Sequence, residues 1–293
     1  FPLFTIPWKT RIIDISYEFC RRIIANEKRE STIADAFRGI IRNPATADDY
    51  SSMLNRAGFY DDSSYTVISL SILRKSVSIT ESVVRTTDMS LWRMLKKSGN
   101  HSSLFMKEGD LVAVRQNCSE EEIVMFCELL RPIAEQSADT EIYIGVSESL
   151  RGFVEISQAY EQSYAAMLTG RIKGKERVFY RDIGLMKLIF GVKDKMILSS
   201  FAEENLGVLH RYDSEKNTDY CSVLRKYLEL NGSVLEAAAE TGVHRNTINY
   251  KIRAIREILG RELDDHTKSM LMLAYLIEDV LDIYDNLNGG NKQ

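Results

Sequence analysis

The feature that most constrains this chain is the order of caps, glycines and apolar residues between 231 and 259. Asn231-Gly232 closes one helix, and Ser233 opens the next with Glu236 three residues on, the spacing of a reciprocal capping box. Ala237, Ala238 and Ala239 keep that second helix thin. Gly242 supplies the turn, since a residue without Cβ enters the left-handed region at little cost. Beyond it, Ile248, Ile252, Ile255 and Leu259 fall on one stripe at about 100° per residue, so that side of the third helix is core. Ala238, Gly242 and Ile248 stand where a tight two-helix unit needs a small crossing residue, a turn glycine and an apolar anchor.

The other side of the third helix is polar. Asn246, Asn249, Tyr250 and Arg253 point away from the isoleucine stripe, and their chemistry suits base edges: Asn pairs bidentately with adenine and Arg with guanine. Arg245, Lys251 and Arg256 flank the stripe, where long cationic stems reach phosphates. Thr247 lies in the first turn, where its hydroxyl and the free backbone N–H groups can also hold a phosphate. Residues 244–261 carry five Lys/Arg against one acid, Glu257, inside a chain of net charge −4. Positive charge concentrated on one element of an acidic protein is the pattern expected when that element alone docks on DNA. The plain alternative, an αα-hairpin with a solvated basic face, does not require the cap, the turn glycine and the exposed amides together.

A length of 293 residues gives a soft prior of about two domains. The 44% hydrophobic and 27% charged content is that of a globular chain with a sizeable core. The longest apolar run, residues 270–277, is too short to span a bilayer, so no membrane association is expected. Residues 1–8 are apolar but lack a basic leader and cleavage site, and are not expected to be a signal peptide. The chain opens on Phe1 rather than Met, so a longer protein with a front segment is expected. Cys20, Cys118, Cys127 and Cys221 show no C-x-x-C spacing, and the four histidines are scattered. Reduced core cysteines in a cytoplasmic protein, with no metal and no cofactor, are the expectation.

Along the chain, residues 11–26 read as an amphipathic helix, and 31–43 and 46–57 as two more, the last stopped at Gly58. Residues 65–73 read as a buried strand and 80–98 as a helix. Strands at 103–106 and 111–115 flank the turn Lys107-Glu108-Gly109-Asp110, a hairpin by turn chemistry. A helix at 119–136 with a capping box (Ser119, Glu122), a strand at 141–146, a helix at 153–169 and a strand at 178–180 follow. The helix at 153–169 is expected to bury Phe153, Ile156, Tyr160, Tyr164 and Met167. From 183 onward the pattern is helical, with 213–217 read as a polar linker. The last helix, about 265–284, buries Met270, Leu273, Ala274, Ile277, Val280 and Leu281 by its periodicity and is too acidic to face phosphate.

The expected class is therefore α+β, a mixed α/β domain followed by an all-α helix-turn-helix domain. The boundaries drawn are 1–57 for a front remnant and helical linker, 58–182 for the sheet domain and 183–218 for a helical connector. Residues 219–285 form the DNA-binding unit and 286–293 a disordered tail.

Several runs together resemble the purine-catabolism regulator (PucR) and sugar-diacid regulator group of bacterial transcription factors. They are Leu206-Gly207-Val208-Leu209, Tyr212-Asp213, Tyr227-Leu228, Asn231-Gly232-Ser233, Val243-His244-Arg245-Asn246-Thr247 with Tyr250, Ile258-Leu259-Gly260 and Leu263-Asp264-Asp265. The resemblance covers residues 183–284. It implies an effector-responsive regulator acting as a homodimer on double-stranded DNA, with an unknown small-molecule effector. It also implies that the preceding residues form a degenerate GGDEF-like, cyclase-like domain, and that residues 2–8 are the tail of an amino-terminal sensory domain. Active diguanylate cyclases read Gly-Gly-Asp/Glu-Glu-Phe at the hairpin. Here the matching positions are Glu108, Gly109, Asp110, Leu111 and Val112, so one glycine and one required acid are missing. Two-metal chemistry needs carboxylates that clamp the ions. No turnover is expected, and Asp110 is read as a turn residue. The competing reading is a nucleotide-sensing or weakly active diguanylate-cyclase-like enzyme.

Overall fold

The computed structural model describes residues 31–74, 102–135 and 140–289. The expected front tail at 2–8, the helices at 11–26 and 80–98 and residues 290–293 of the expected disordered tail lie outside those residues, whereas 286–289 of that tail are the end of the last helix. The chain divides into two compact units at the boundary between Ile183 and Gly184.

In the first unit, the described residues build a six-stranded sheet between helices. Residues 31–42 form α1 and Ala47–Ala57 form α2, joined by a 3₁₀ turn at Pro44–Thr46. The strands are β1 (Ser64–Arg74), β2 (Ser102–Lys107), β3 (Asp110–Gln116), β4 (Thr140–Val146), β5 (Leu150–Arg151) and β6 (Arg177–Phe179). Helices α3 (Glu120–Glu135) and α4 (Ile156–Lys173) complete the unit. The order is β2-β3-β1-β4-β6, with β5 beside β1; β1 is antiparallel to β3 and β4, while β4 and β6 run parallel.

Alternation along the strands sorts side chains into two layers. Tyr65, Val67, Phe105, Val112 and Val114 meet α1, α2 and α4 on one face. Ile68, Leu70, Leu111, Ala113, Ile142 and Ile144 meet Ile123, Phe126 and Cys127 of α3 on the other. No break falls at residue 57, because Ile33, Phe37, Ile40 and Leu54 share a core with Tyr65 and Phe153. The helices at 31–57 therefore belong to the sheet unit and are not a linker.

The hairpin forms as its chemistry requires. Glu108 (φ 55°) and Gly109 (φ 92°) both lie in the left-handed region, the signature of a two-residue type I′ turn whose twist suits the strands. Asp110 is the last residue of that turn, as expected. It opens β3 opposite Lys107 and is buried. Ser119 and Glu122 make the full reciprocal box at α3: the Glu122 carboxylate accepts from Ser119 N at 2.8 Å, and Ser119 Oγ from Glu122 N at 3.2 Å. The helix at 153–169 begins later than its periodicity implied, at Ile156. Of its expected buried residues, Tyr164 is half-buried and the others are buried.

The second unit is helical among its described residues: α5 (Met186–Gly191), α6 (Lys195–Lys216), α7 (Tyr220–Glu229), α8 (Val234–Thr241), α9 (Arg245–Leu259) and α10 (Asp265–Gly289). The polar run read as a linker is the last turn of α6, which stops only where Asn217 turns left-handed (φ 53°). The reason is tertiary: Asp213 turns its carboxylate onto the start of α7, accepting from Tyr220 N at 2.9 Å and Cys221 N at 2.8 Å. Burial alone would raise that carboxyl, but these bonds and one from Thr218 hold it below the usual carboxylate range. Leu206 and Leu209 of α6 pack with Leu224, Ile248 and Leu271, so α6 is part of the same core as the helices after 219. On α10 the fully buried residues are Leu271, Ala274, Tyr275, Ile277 and Val280. Met270, Leu273 and Leu281 are half-buried, since the helix turns its 271/274/275 ridge inward.

Candidate nucleic-acid interface

Three helices, α7 to α9, set the site. After α7, Asn231 (φ 53°) and Gly232 (φ 80°) reverse the chain, and Gly232 N–H returns to the Tyr227 carbonyl at 2.8 Å. Ser233 caps α8, its Oγ accepting from Glu236 N at 3.3 Å. The expected reciprocal bond is not made: Ser233 N–H donates to the Leu230 carbonyl at 3.0 Å, so the left-handed turn has already taken the donor that Glu236 would serve. Half of the capping box survives.

The small residue buried at the crossing is Ala237, 1% exposed, with Ala238 half-buried beside it. The helix phase is one residue earlier than the offset of Ala238 from Gly242 implied. Gly242 takes φ 67° in open space, as the turn requires. His244 then caps α9: its Nδ1 accepts from Asn246 N at 3.2 Å. Histidine is an uncommon cap, and its position just ahead of the helix was the only sequence signal.

Ile248, Ile252 and Ile255 bury one side of α9 completely or nearly so. Arg245, Asn246, Thr247, Asn249, Tyr250 and Arg253 are all exposed, Asn246, Tyr250 and Arg253 on the side away from that ridge and Arg245 flanking it. Tyr250, at 67% exposure, is too open to be a core aromatic. Two of the cations named with them are placed differently. Lys251 turns onto Asp219, with Nζ 2.6 Å from each carboxylate oxygen. Arg256 is half-buried, lies 3.6 Å from Glu262 and leaves a buried Nε without a partner.

The scaffold behind this surface is cross-braced. Arg225 of α7 binds Asp279 of α10, Lys226 pairs with Glu240 of α8, and the Tyr275 hydroxyl donates to the Cys221 carbonyl at 2.8 Å. His210 Nε2 lies 2.8 Å from Glu278, whose carboxyl burial raises. The acids of α10 that count against phosphate are thus partly spent within the unit. Among the described residues no group of three or more His, Cys, Asp or Glu is placed to hold a metal ion, and no helix is long and apolar enough to cross a membrane.

Two helices joined by a glycine turn, with the second presenting amides and cations outward from a buried ridge, define a helix-turn-helix domain. Residues 220–277 match the family described as the PucR C-terminal helix-turn-helix domain. The chain is 25% identical over 146 residues to the proline-responsive transcriptional activator PutR of Bacillus subtilis (strain 168), covering 48% of this chain and 36% of that protein. It is 22% identical over 152 residues to the purine catabolism regulatory protein of the same organism, covering 50% and 28%. The matches thus span about a third of each relative's length. Among solved structures, a regulator of polyketide synthase expression from Bifidobacterium adolescentis aligns with a TM-score of 0.40 at 18% identity, over 84% of this chain and 92% of that one.

Proposed function

We propose that this chain is a sequence-specific, DNA-binding transcriptional regulator that reads the major groove with α9. The observation that carries this is the division of α9 into two sides: a buried isoleucine ridge and an exposed row of Arg245, Asn246, Thr247, Asn249, Tyr250 and Arg253. In this reading Asn246, Asn249 and Arg253 address base edges, Tyr250 packs against a base or sugar, and Arg245 and Thr247 hold phosphates. The match of residues 220–277 to a PucR-type helix-turn-helix and the regulators among its relatives support it. Two copies acting on paired half-sites, a small-molecule effector and a cytoplasmic setting follow from the same reading.

The sheet unit is then a degenerate cyclase-like domain without turnover. Asp110, the one acid left at the hairpin's required position, is buried and bonded to Ser71, which supports that reading.

Selection of bound fragments from the genome of origin, followed by gel shift at moderate salt, tests the proposal. A preferred site, lost on Asn249→Ala or Arg253→Ala while the fold persists, supports it; equal binding to all fragments sinks it. Incubation with GTP and magnesium tests the second unit, and a cyclic product lost in Asp110→Ala would overturn its assignment.

A further inference from the structure

Two acids stand at the start of α7 and do different work. Asp213 caps the helix through Tyr220 N and Cys221 N. Asp219 occupies the N-cap position yet makes no side-chain bond to its own helix. Both of its oxygens instead reach Lys251 of α9, 32 residues on. The Lys251 side chain is only 18% exposed, while Asp219 stays 59% exposed beside the reading helix. A lysine held this way is not extended toward a phosphate.

We propose that Asp219 is a specificity-determining residue, which withholds Lys251 from the DNA backbone and so weakens sequence-independent binding more than base recognition. The inference rests on α9 being the DNA-reading helix. Phosphate contacts add affinity for any sequence, whereas base-edge contacts add discrimination. Cancelling one cation lowers the first term and leaves Asn246, Asn249 and Arg253 to supply the second. An interface that limits its own non-specific attraction gains specificity by the repulsive route.

The test uses the full chain and fluorescence anisotropy on a random-sequence duplex and on a preferred duplex from the selection above, across a salt series. In Asp219→Asn, the slope of log K against log salt on random duplex steepens by about one, affinity for it rises several-fold, and the preferred-to-random ratio falls. Asp219→Ser, a neutral residue suited to a cap position, gives the same result should the Asn variant fold poorly. Lys251→Ala alone leaves the slope unchanged, and the double variant matches Lys251→Ala. An unchanged slope in folded Asp219→Asn and Asp219→Ser overturns the inference. So does a drop of about one in Lys251→Ala, or a double variant that keeps the gain, which would mean the carboxylate repels DNA directly. These results leave the DNA-reading assignment standing, whereas wild-type protein that ignores sequence and salt removes both.

Discussion

The guanidinium of Arg225 grips the Asp279 carboxylate through two parallel bonds, Nη1 to Oδ1 at 2.8 Å and Nη2 to Oδ2 at 2.7 Å. It joins the helix before the helix-turn-helix to the long final helix, and Glu229 adds a third bond at 3.1 Å. The Asp279 side chain is 17% exposed and that of Arg225 37%, so solvent screens the pair only in part. Asp279→Ala is expected to destabilise the second unit by about 1–2 kcal/mol. Urea unfolding checks this, and a variant as stable as the wild type would show the pair to be ornamental.

Gly145 and Gly242 make a contrasting pair. A Cβ on Gly145 would collide with the Ser163 carbonyl oxygen and with Met167 N, both backbone atoms of α4. Helix α4 lies directly on β4 there, so Gly145→Ala must lift the helix and is expected to cost about 3 kcal/mol or more. Gly242 has open space, and Gly242→Ala meets only its left-handed backbone, about 1–2 kcal/mol. Thermal unfolding of the two variants should rank them in that order.

Burial pushes the Asp110 carboxyl up to about 6, against the opposing effects of the Ser71 hydrogen bond and the Arg171 charge. The folded state therefore holds a proton that the unfolded chain has already released. Stability from this group is complete at low pH and is lost as pH rises through about 6. Asp110→Asn keeps the shape without the charge and should stabilise the first unit at neutral pH by up to about 3 kcal/mol. Denaturation near pH 5 and near pH 7.5 should show about twice the gain at the higher value.

His244 caps the reading helix through a bond from Asn246 N, so His244→Ala should cost about 1 kcal/mol and fray the first turn of α9. His244→Asn, which offers a good capping oxygen, should recover that stability. Amide hydrogen exchange at 246–248 reads the effect locally. Equal protection in wild type and His244→Ala would remove the cap from the account.

Much of the candidate site was legible because its signals are local. A left-handed turn needs a glycine or asparagine at one position, a cap needs an oxygen at another, and a buried stripe repeats at helical spacing. Gly232, Gly242, Ser233 and the Ile248/Ile252/Ile255 ridge all obey those rules within a few residues of themselves. The hairpin at Glu108-Gly109 and the capping box at Ser119 and Glu122 were legible for the same reason.

Where the structure departs from the periodicity, partners far along the chain are the cause. Whether residues 213–216 were linker or helix depended on Asp213 finding the start of α7 to cap. Whether Asp110, at the end of its turn, was exposed or buried depended on what packs against the start of β3.

The amino-acid order alone determined that a basic, amide-bearing helix would follow a glycine turn with one apolar side, because backbone geometry and helical period act over a few residues. Only the tertiary structure decided which of that helix's cations stay free. Lys251 is cancelled by an acid 32 residues away and Arg256 is drawn half inside, while Arg245 and Arg253 remain in solvent. Charge pairing is set by which side chains packing brings within a few ångströms, and hydrophobic burial, not spacing along the chain, sets that packing.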